Sequence, residues 1–213
     1  MINNRKSLQE ILSQVPQDYY ASGVKSNLLQ KYWHGKKWRE LCKYIGIVNG
    51  KLLDVGCADG TTTKAIQGKY PALKIIGLDY YKDAINYAKK DEDKINFIVA
   101  DAHKLPFKAN FFDIVCAVEV LEHLTNPERV LSEINRVLKK GGYLIVVQDT
   151  DSLLFRTVWW FWTKWKGFVW NNSHISCVTP DVLLRRIKKQ GFKIEKFRYT
   201  NLGMEIIIKA KKI

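Results

Sequence analysis

The sequence predicts an α/β fold: an open, doubly wound, mostly parallel sheet that finishes in an antiparallel hairpin. Three observations carry this. From Lys51 onward, short apolar runs alternate with segments of helical periodicity. The runs are continuous rather than alternating, as strands covered on both faces require. The last two strand segments, 193–199 and 205–210, are joined by a turn around Asn201 and Gly203, too short for a parallel crossover.

The elements follow in chain order. Ser7-Leu8-Gln9-Glu10 is a capping-box pattern and predicts a short helix that Pro16 ends. Residues 27–45 carry Leu29, Trp33, Leu41 and Ile45 at helical spacing, with Gly35 as a candidate break into two pieces. Strands are predicted at 52–55, 75–78, 96–99, 113–118 and 143–147, with helices at 61–68 and 83–90. The best-marked helix follows the fourth strand. Asn126 caps it, Pro127 takes its first position, and Val130, Leu131, Ile134, Val137 and Leu138 form its apolar stripe. Lys139 and Lys140 suit its negative end, and Gly141 is the expected stop. Thr179-Pro180-Asp181 opens the last helix, with Gly191 as its stop. The expected organisation is a helical cap (1–50), a cofactor-binding core (51–150), an aromatic lid insertion (151–178), and a C-terminal helix and hairpin (179–213) that complete the same domain.

A chain of 213 residues holds one sizeable core. Its net charge of +14 is unevenly spread: +5 over residues 1–50, zero over 51–150 and +9 over 151–213. A neutral core with basic flanks suggests a partner that is acidic. Cys42, Cys57, Cys116 and Cys177 lie far apart with no C-x-x-C pair, so neither a disulfide framework nor a zinc site is expected, and no metal is assigned. The first ten residues contain no apolar run of the signal-peptide kind. The expected location is the cytoplasm, with peripheral contact to a membrane.

The first strand runs into the loop Leu52-Leu53-Asp54-Val55-Gly56-Cys57-Ala58-Asp59-Gly60. Ligands of open α/β sheets sit beyond the carboxyl ends of the strands, and such a loop brings backbone N–H groups to them. The G-x-G-x-x-G spacing of a dinucleotide site is missing, and Asp54 and Asp59 would repel a pyrophosphate. A nucleoside with a positive centre and no phosphate resolves the conflict, and S-adenosylmethionine is such a ligand. Asp79, at the end of the second strand, can accept both ribose hydroxyls, and Asp101, at the end of the third, can accept the adenine amino group.

The segments LLDVGCADG, GLDYYKDAINYAKK, VADAHKLPF, FDIVCAVEVLEHL and LKKGGYLIVV resemble, in order, the motifs of class I S-adenosylmethionine-dependent methyltransferases. The branch most resembled contains the methyltransferases of ubiquinone and menaquinone biosynthesis. The resemblance runs over residues 27–210. It implies a Rossmann-like sheet of seven strands with a reversed last hairpin, and methyl transfer from S-adenosylmethionine with S-adenosylhomocysteine as product. It places Asp54, Gly56, Cys57 and Gly60 around the methionine part, Asp79 at the ribose, and Asp101 with Ala102 at the adenine. Leu78 and Tyr80 would flank the adenosine, and Glu119 would lie near the methionine end. One departure is Ala58, where the family loop carries a glycine, and weaker cofactor binding is expected from its methyl group.

The acceptor must be read from the remaining strand ends and the flanks. After the fifth strand the chain carries Trp159, Trp160, Trp162, Trp165 and Trp170, five of its seven tryptophans, together with Arg156, Lys164 and Lys166. The segment is too short and too charged for a membrane span. Tryptophan mixed with basic residues is the composition of an interfacial helix. A lid over an apolar or lipid-like acceptor is expected, beside an anionic membrane. His174 and Glu119 are the candidate catalytic residues, and Tyr20, His34, Asp149, Trp159, Trp162 and His174 are the candidate acceptor contacts. Aromatics that only fill a core beside the sheet would have the same composition. Two further readings stay open: an RNA methyltransferase, since aromatics and lysines also suit nucleic acid, and a non-catalytic cofactor-binding scaffold.

Overall fold

The computed structural model describes residues 14–46, 49–91, 94–165, 170 and 173–213; the helix expected from Ser7 lies outside them. In chain order the elements are α1 (Tyr19–Ser26), α2 (Leu28–Ile45), β1 (Gly50–Val55), α3 (Thr61–Lys69), β2 (Leu73–Asp79), α4 (Lys82–Ala88), β3 (Asn96–Val99) and β4 (Phe112–Val118). They continue with α5 (Pro127–Val137), β5 (Leu138–Asp149), α6 (Leu153–Trp165), α7 (Pro180–Lys189), β6 (Phe192–Thr200) and β7 (Glu205–Lys212). The seven strands form one sheet in the order β3-β2-β1-β4-β5-β7-β6. β7 runs antiparallel to both β5 and β6, and the other pairings are parallel. The reversed hairpin expected from the short 200–205 turn is thus present.

Two helix boundaries differ from the sequence reading. α2 is continuous through Gly35, because Asn27 caps it by accepting the N–H groups of Leu29 and Gln30 and its inner face is anchored by Leu41, Tyr44 and Ile45. Gly46, in the left-handed region at φ 67°, ends it. α5 begins as expected, with the Asn126 side chain accepting the Arg129 N–H. It ends at Val137 rather than at Gly141, because the sheet captures the chain early. Leu138 pairs with Phe112, and the Lys139 ammonium lies 2.6 Å from Asp113.

Period-two alternation along the central strands fills two cores. Leu53 and Val55 of β1, Val115 and Ala117 of β4, and Leu144 and Val146 of β5 pack against Val130, Leu131, Ile134 and Val137 of α5 and Leu183 and Ile187 of α7. Leu52, Ile114, Cys116, Ile145 and Val147 face the other side, against Leu41 and Ile45 of α2, Ile66 of α3 and Ile85 of α4. Most of these side chains are fully buried, each contributing about 1.5–3 kcal/mol of apolar transfer. Burial on both faces leaves only the strand ends to carry polar chemistry.

Phe97 packs in the core beside the β1–α3 loop and β2. Its ring lies beneath two glycines: a Cβ on Gly77 would come 2.6 Å from Phe97 Cδ1, and one on Gly60 would come 2.7 Å from Phe97 Cζ. Gly77→Ala is expected to cost about 1–3 kcal/mol through overpacking. Phe97→Leu in the same chain should recover part of that loss, as urea denaturation of the single and double variants will show.

Candidate active site

The carboxyl ends of β1, β2, β3 and β4 open into a cavity of about 340 Å³. Gly56, Ala58, Asp59, Leu78, Asp79, Tyr80, Asp101, Ala102 and Glu119 form its floor and one flank. The β1–α3 loop is held against β2 by its own backbone: the N–H groups of Gly56 and Cys57 donate to the Leu78 carbonyl. Asp79 completes the clamp. Its Oδ2 accepts the Ala58 N–H and its Oδ1 accepts the Tyr81 N–H, each at 2.8 Å. Ala58 itself takes φ 47°, a conformation natural to glycine and costing alanine about 1–2 kcal/mol. The loop therefore keeps the glycine shape, and Ala58 stands at the cavity wall.

The two acids of this loop have separate tasks. Asp54 is buried and accepts a 2.6 Å hydrogen bond from the Thr63 hydroxyl of α3; burial pushes its carboxyl up to about 7. It lies behind the loop and outside the cavity lining. Asp59 lines the cavity and pins the N-terminal segment over it: its Oδ2 accepts the Ala21 N–H and its Oδ1 accepts the Thr61 N–H. The Tyr81 hydroxyl, donating to the Val15 carbonyl at 2.8 Å, ties the same segment down a second time. Asp101, half-exposed at the end of β3, accepts from the backbone and ring of His103. Burial works against its ionisation, but these bonds hold the carboxyl below the usual range.

At the other end of the cavity lies a buried charge cluster. The Lys37 ammonium of α2 contacts Glu119, just past β4, and lies 3.2 Å from Glu205 at the start of β7. Carboxylate oxygens of Glu119, Asp149 and Glu205 lie within 4.8 Å of one another. Burial opposes the Lys37 charge, but Glu119, Glu205 and Asp149 together raise its pKa. Burial likewise opposes the charge on Glu119, and Lys37 outweighs it, so this carboxyl stays below its usual range. Asp149 is raised well above its usual range, first by burial and then by Glu119 and Glu122, and burial pushes Glu122 up to about 8. Glu119 stands at φ 53°, a strained position fixed by its N–H donating to the Val147 carbonyl.

A run of packed rings closes the mouth. Trp159 of α6 stacks on His174 with centroids 4.4 Å apart, His174 on His123 at 5.0 Å, and His123 on Trp170 at 5.7 Å. Trp170 meets Tyr19 at 5.4 Å, and Tyr20 meets His34 at 5.6 Å. Of these, Tyr19, Tyr20, His123 and Trp170 line the cavity. The imidazole of His174 lies 3.6 Å from Asp149 Oδ2, and burial holds its pKa down at about 3. Burial thus disfavours charge on both partners, raising the Asp149 carboxyl and lowering the His174 imidazole.

Among the residues singled out from sequence, Gly56, Asp79, Tyr80, Asp101, Ala102, Glu119 and Tyr20 line this cavity. Asp54, Cys57 and Gly60 sit behind the loop: Cys57 is buried in the core, and Gly60 caps α3. His34, Asp149, Trp159, Trp162 and His174 form a layer behind the wall and reach it through Tyr20, Tyr19 and His123. Lys37, Glu205 and Glu122 were not expected. Lys37 had one sequence signal: it falls on the inner stripe of α2, four residues before Leu41 and seven before Tyr44. Nothing in the sequence pairs it with acids 82 and 168 positions away.

Lys37→Met would leave three carboxylates facing one another, at an expected cost of about 3–5 kcal/mol at neutral pH. The raised Lys37 pKa makes its contribution complete below its ordinary 10.5. The lowered Glu119 pKa makes its contribution complete above its ordinary 4.5, and lost as pH falls past the folded value. The deficit should therefore be greatest from roughly pH 5 to 10 and shrink in acid, which denaturant unfolding of wild type and variant at several pH values will measure.

Comparison with known proteins agrees with this geometry. A family described as a methyltransferase domain matches residues 53–146. A demethylmenaquinone methyltransferase of Thermotoga maritima is 28% identical over 187 residues, covering 79% of this chain and 82% of that protein. A sterol 24-C-methyltransferase of Gibberella zeae is 40% identical over 132 residues, covering 55% of this chain and 34% of that protein. This chain thus spans only about a third of the fungal enzyme's length. Human N-acetylserotonin methyltransferase, solved in complex with S-adenosylmethionine, superimposes with a TM-score of 0.68 at 20% identity, covering 97% of this chain and 56% of that one. Residues 53–146 of this chain thus form a methyltransferase domain, within a seven-stranded sheet of the kind that the resemblance to class I S-adenosylmethionine-dependent methyltransferases implies.

Proposed function

We propose that this protein transfers a methyl group from S-adenosylmethionine to a small apolar or lipid-like acceptor, taken up beside an anionic membrane. The observation that carries the reading is the composition of this cavity: acids at the strand ends on one side, a wall of aromatic rings on the other. The relatives named for menaquinone and sterol methylation act on apolar molecules, which supports the same class of acceptor here.

The lining fits the cofactor. Backbone at Gly56 and Ala58, with no side chain longer than a methyl group, leaves room for the methionine part, and Glu119 supplies negative charge at that end. Asp79 has carboxylate lone pairs left for ribose hydroxyls after its two backbone bonds, and Asp101 with Ala102 borders the adenine position. Tyr80 and Leu78 form the walls between. The bound cofactor supplies an activated methyl group, so the chain's own task is alignment and the exclusion of water. Tyr19, Tyr20 and Trp170 exclude water, and the Asp59–Ala21 and Tyr81–Val15 hydrogen bonds keep that cover in place. His123 lines the cavity and packs on His174, whose imidazole lies 3.6 Å from Asp149, so this row of side chains positions His123 for a proton released by the acceptor.

Incubation with methyl-tritiated S-adenosylmethionine and a total lipid extract tests the reading. Label should enter the organic phase, and His174→Ala should cut turnover about a hundredfold with cofactor affinity unchanged. Label found in RNA, or no transfer to any fraction, would overturn the proposal.

A further inference from the structure

We infer that the outer face of α6, together with the β6–β7 turn and the first turns of α2, is a docking surface for an anionic lipid bilayer. α6 is apolar on two faces. Phe155 and Thr163 are buried and Trp159 packs on His174, which is the inner face. Leu154, Val158, Phe161 and Trp165, at spacings of four, three and four, form a second stripe on the outside, 43–78% exposed. Leu153 and Trp160 flank it, also exposed.

The neighbouring turn adds to this surface. The Thr150 N–H and hydroxyl, just ahead of α6, bond the carbonyls of Met204 and Gly203. Between them and β6, Leu202 stands at φ 59° and is 85% exposed. A leucine there is unfavourable twice, by backbone strain and by its wetted side chain. Its neighbour Asn201, also at positive φ, has a structural reason, a buried hydrogen bond to Glu205. Leu202 has none within the fold, and burial in a bilayer removes the second cost.

On the other side of the mouth, Tyr19 of α1 lies beside Trp162 of α6, Trp170 and Gln30 of α2, which brings the three helices together there. There Leu28, Leu29 and Tyr32 are 84%, 76% and 63% exposed. The exposed stripes of α6 and α2 thus sit on helices that meet at Tyr19, which lines the cavity.

Charge names the occupant. No Asp or Glu occurs from residue 19 to 39 or from 152 to 180, while Lys25, Lys31, Arg39, Arg156 and Lys164 are exposed in these stretches. Two copies of such a face would meet with like charges, whereas an anionic bilayer matches both the apolar stripe and the cations. Among the described residues no helix is long and apolar enough to cross a membrane, so the helix lies on the surface. Delivery of an acceptor from the bilayer to the cavity rests on the function proposed above; the binding itself does not.

Co-sedimentation with phosphatidylglycerol–phosphatidylcholine vesicles, and with phosphatidylcholine alone, tests the inference. The protein should pellet with the first, and weakly with the second. The variant Leu154→Ser/Phe161→Ser/Leu202→Asn changes no charge and gives position 202 a residue at ease with positive φ. Its partition coefficient should fall at least about tenfold, with the thermal midpoint and its shift by S-adenosylhomocysteine kept. Vesicle binding without any cofactor-induced shift would leave the surface standing and reject the function proposed above. Equal pelleting of the variant, no pelleting of wild type, or a wild-type dimer that the variant splits would overturn the inference.

Discussion

The Lys37 ammonium lies where β4 ends, β7 begins and the last residue of β5 comes close, in contact with Glu119 and 3.2 Å from Glu205. Three strands that are distant in sequence end in acids at this point, and without a cation between them their carboxyls could not stay charged together. The lysine arrives on α2, which packs one face of the sheet through Leu41 and Ile45 and then runs on past the strand ends. One ion cluster thus holds α2 over the mouth and lets Glu119 keep its charge in a strained backbone, while burial, ahead of the neighbouring acids, raises the carboxyls of Asp149 and Glu122. The aromatic cover depends on the same placement, since His34 and Trp38 flank Lys37 on α2 and His34 meets Tyr20.

The strand-end acids form a graded series. Asp101 is half-exposed and bonded to His103; Asp79 is half-buried and accepts the Ala58 and Tyr81 N–H groups; Glu119 is held below its usual range by Lys37 beside it. A ligand crossing from β3 to β4 passes from solvent-screened to buried negative charge. Buried charge acts more strongly because water no longer screens it, and at the Glu119 end the Lys37 ammonium offsets part of it.

Much of this was legible in the sequence because it is written locally. The alternation of strands and helices, the Asn126 cap, the short 200–205 turn and the acids at Asp79 and Asp101 each depend on a few adjacent residues, and the sheet has the expected seven strands with a reversed last hairpin. What escaped is what folding brings together from afar. Asp54 reads as a ligand contact until Thr63 is seen to hold it from behind, and Asp59 reads as repulsion until the Ala21 N–H is found on it. Gly35 and Gly141 read as breaks, but tertiary packing carried the helix through one, and early pairing with β4 placed the other inside β5. Ala58 reads as a departure from the family loop, yet its φ of 47° keeps the loop's shape at a cost in strain.

The central claim is that acids at the strand ends choose a positively charged nucleoside and refuse a dinucleotide. Trp170, on the cavity wall, makes intrinsic fluorescence a direct reporter. Titration with S-adenosylmethionine should give a saturable change, and NAD at the same concentrations should give none. Saturation by NAD, or no response to either, would contradict the account.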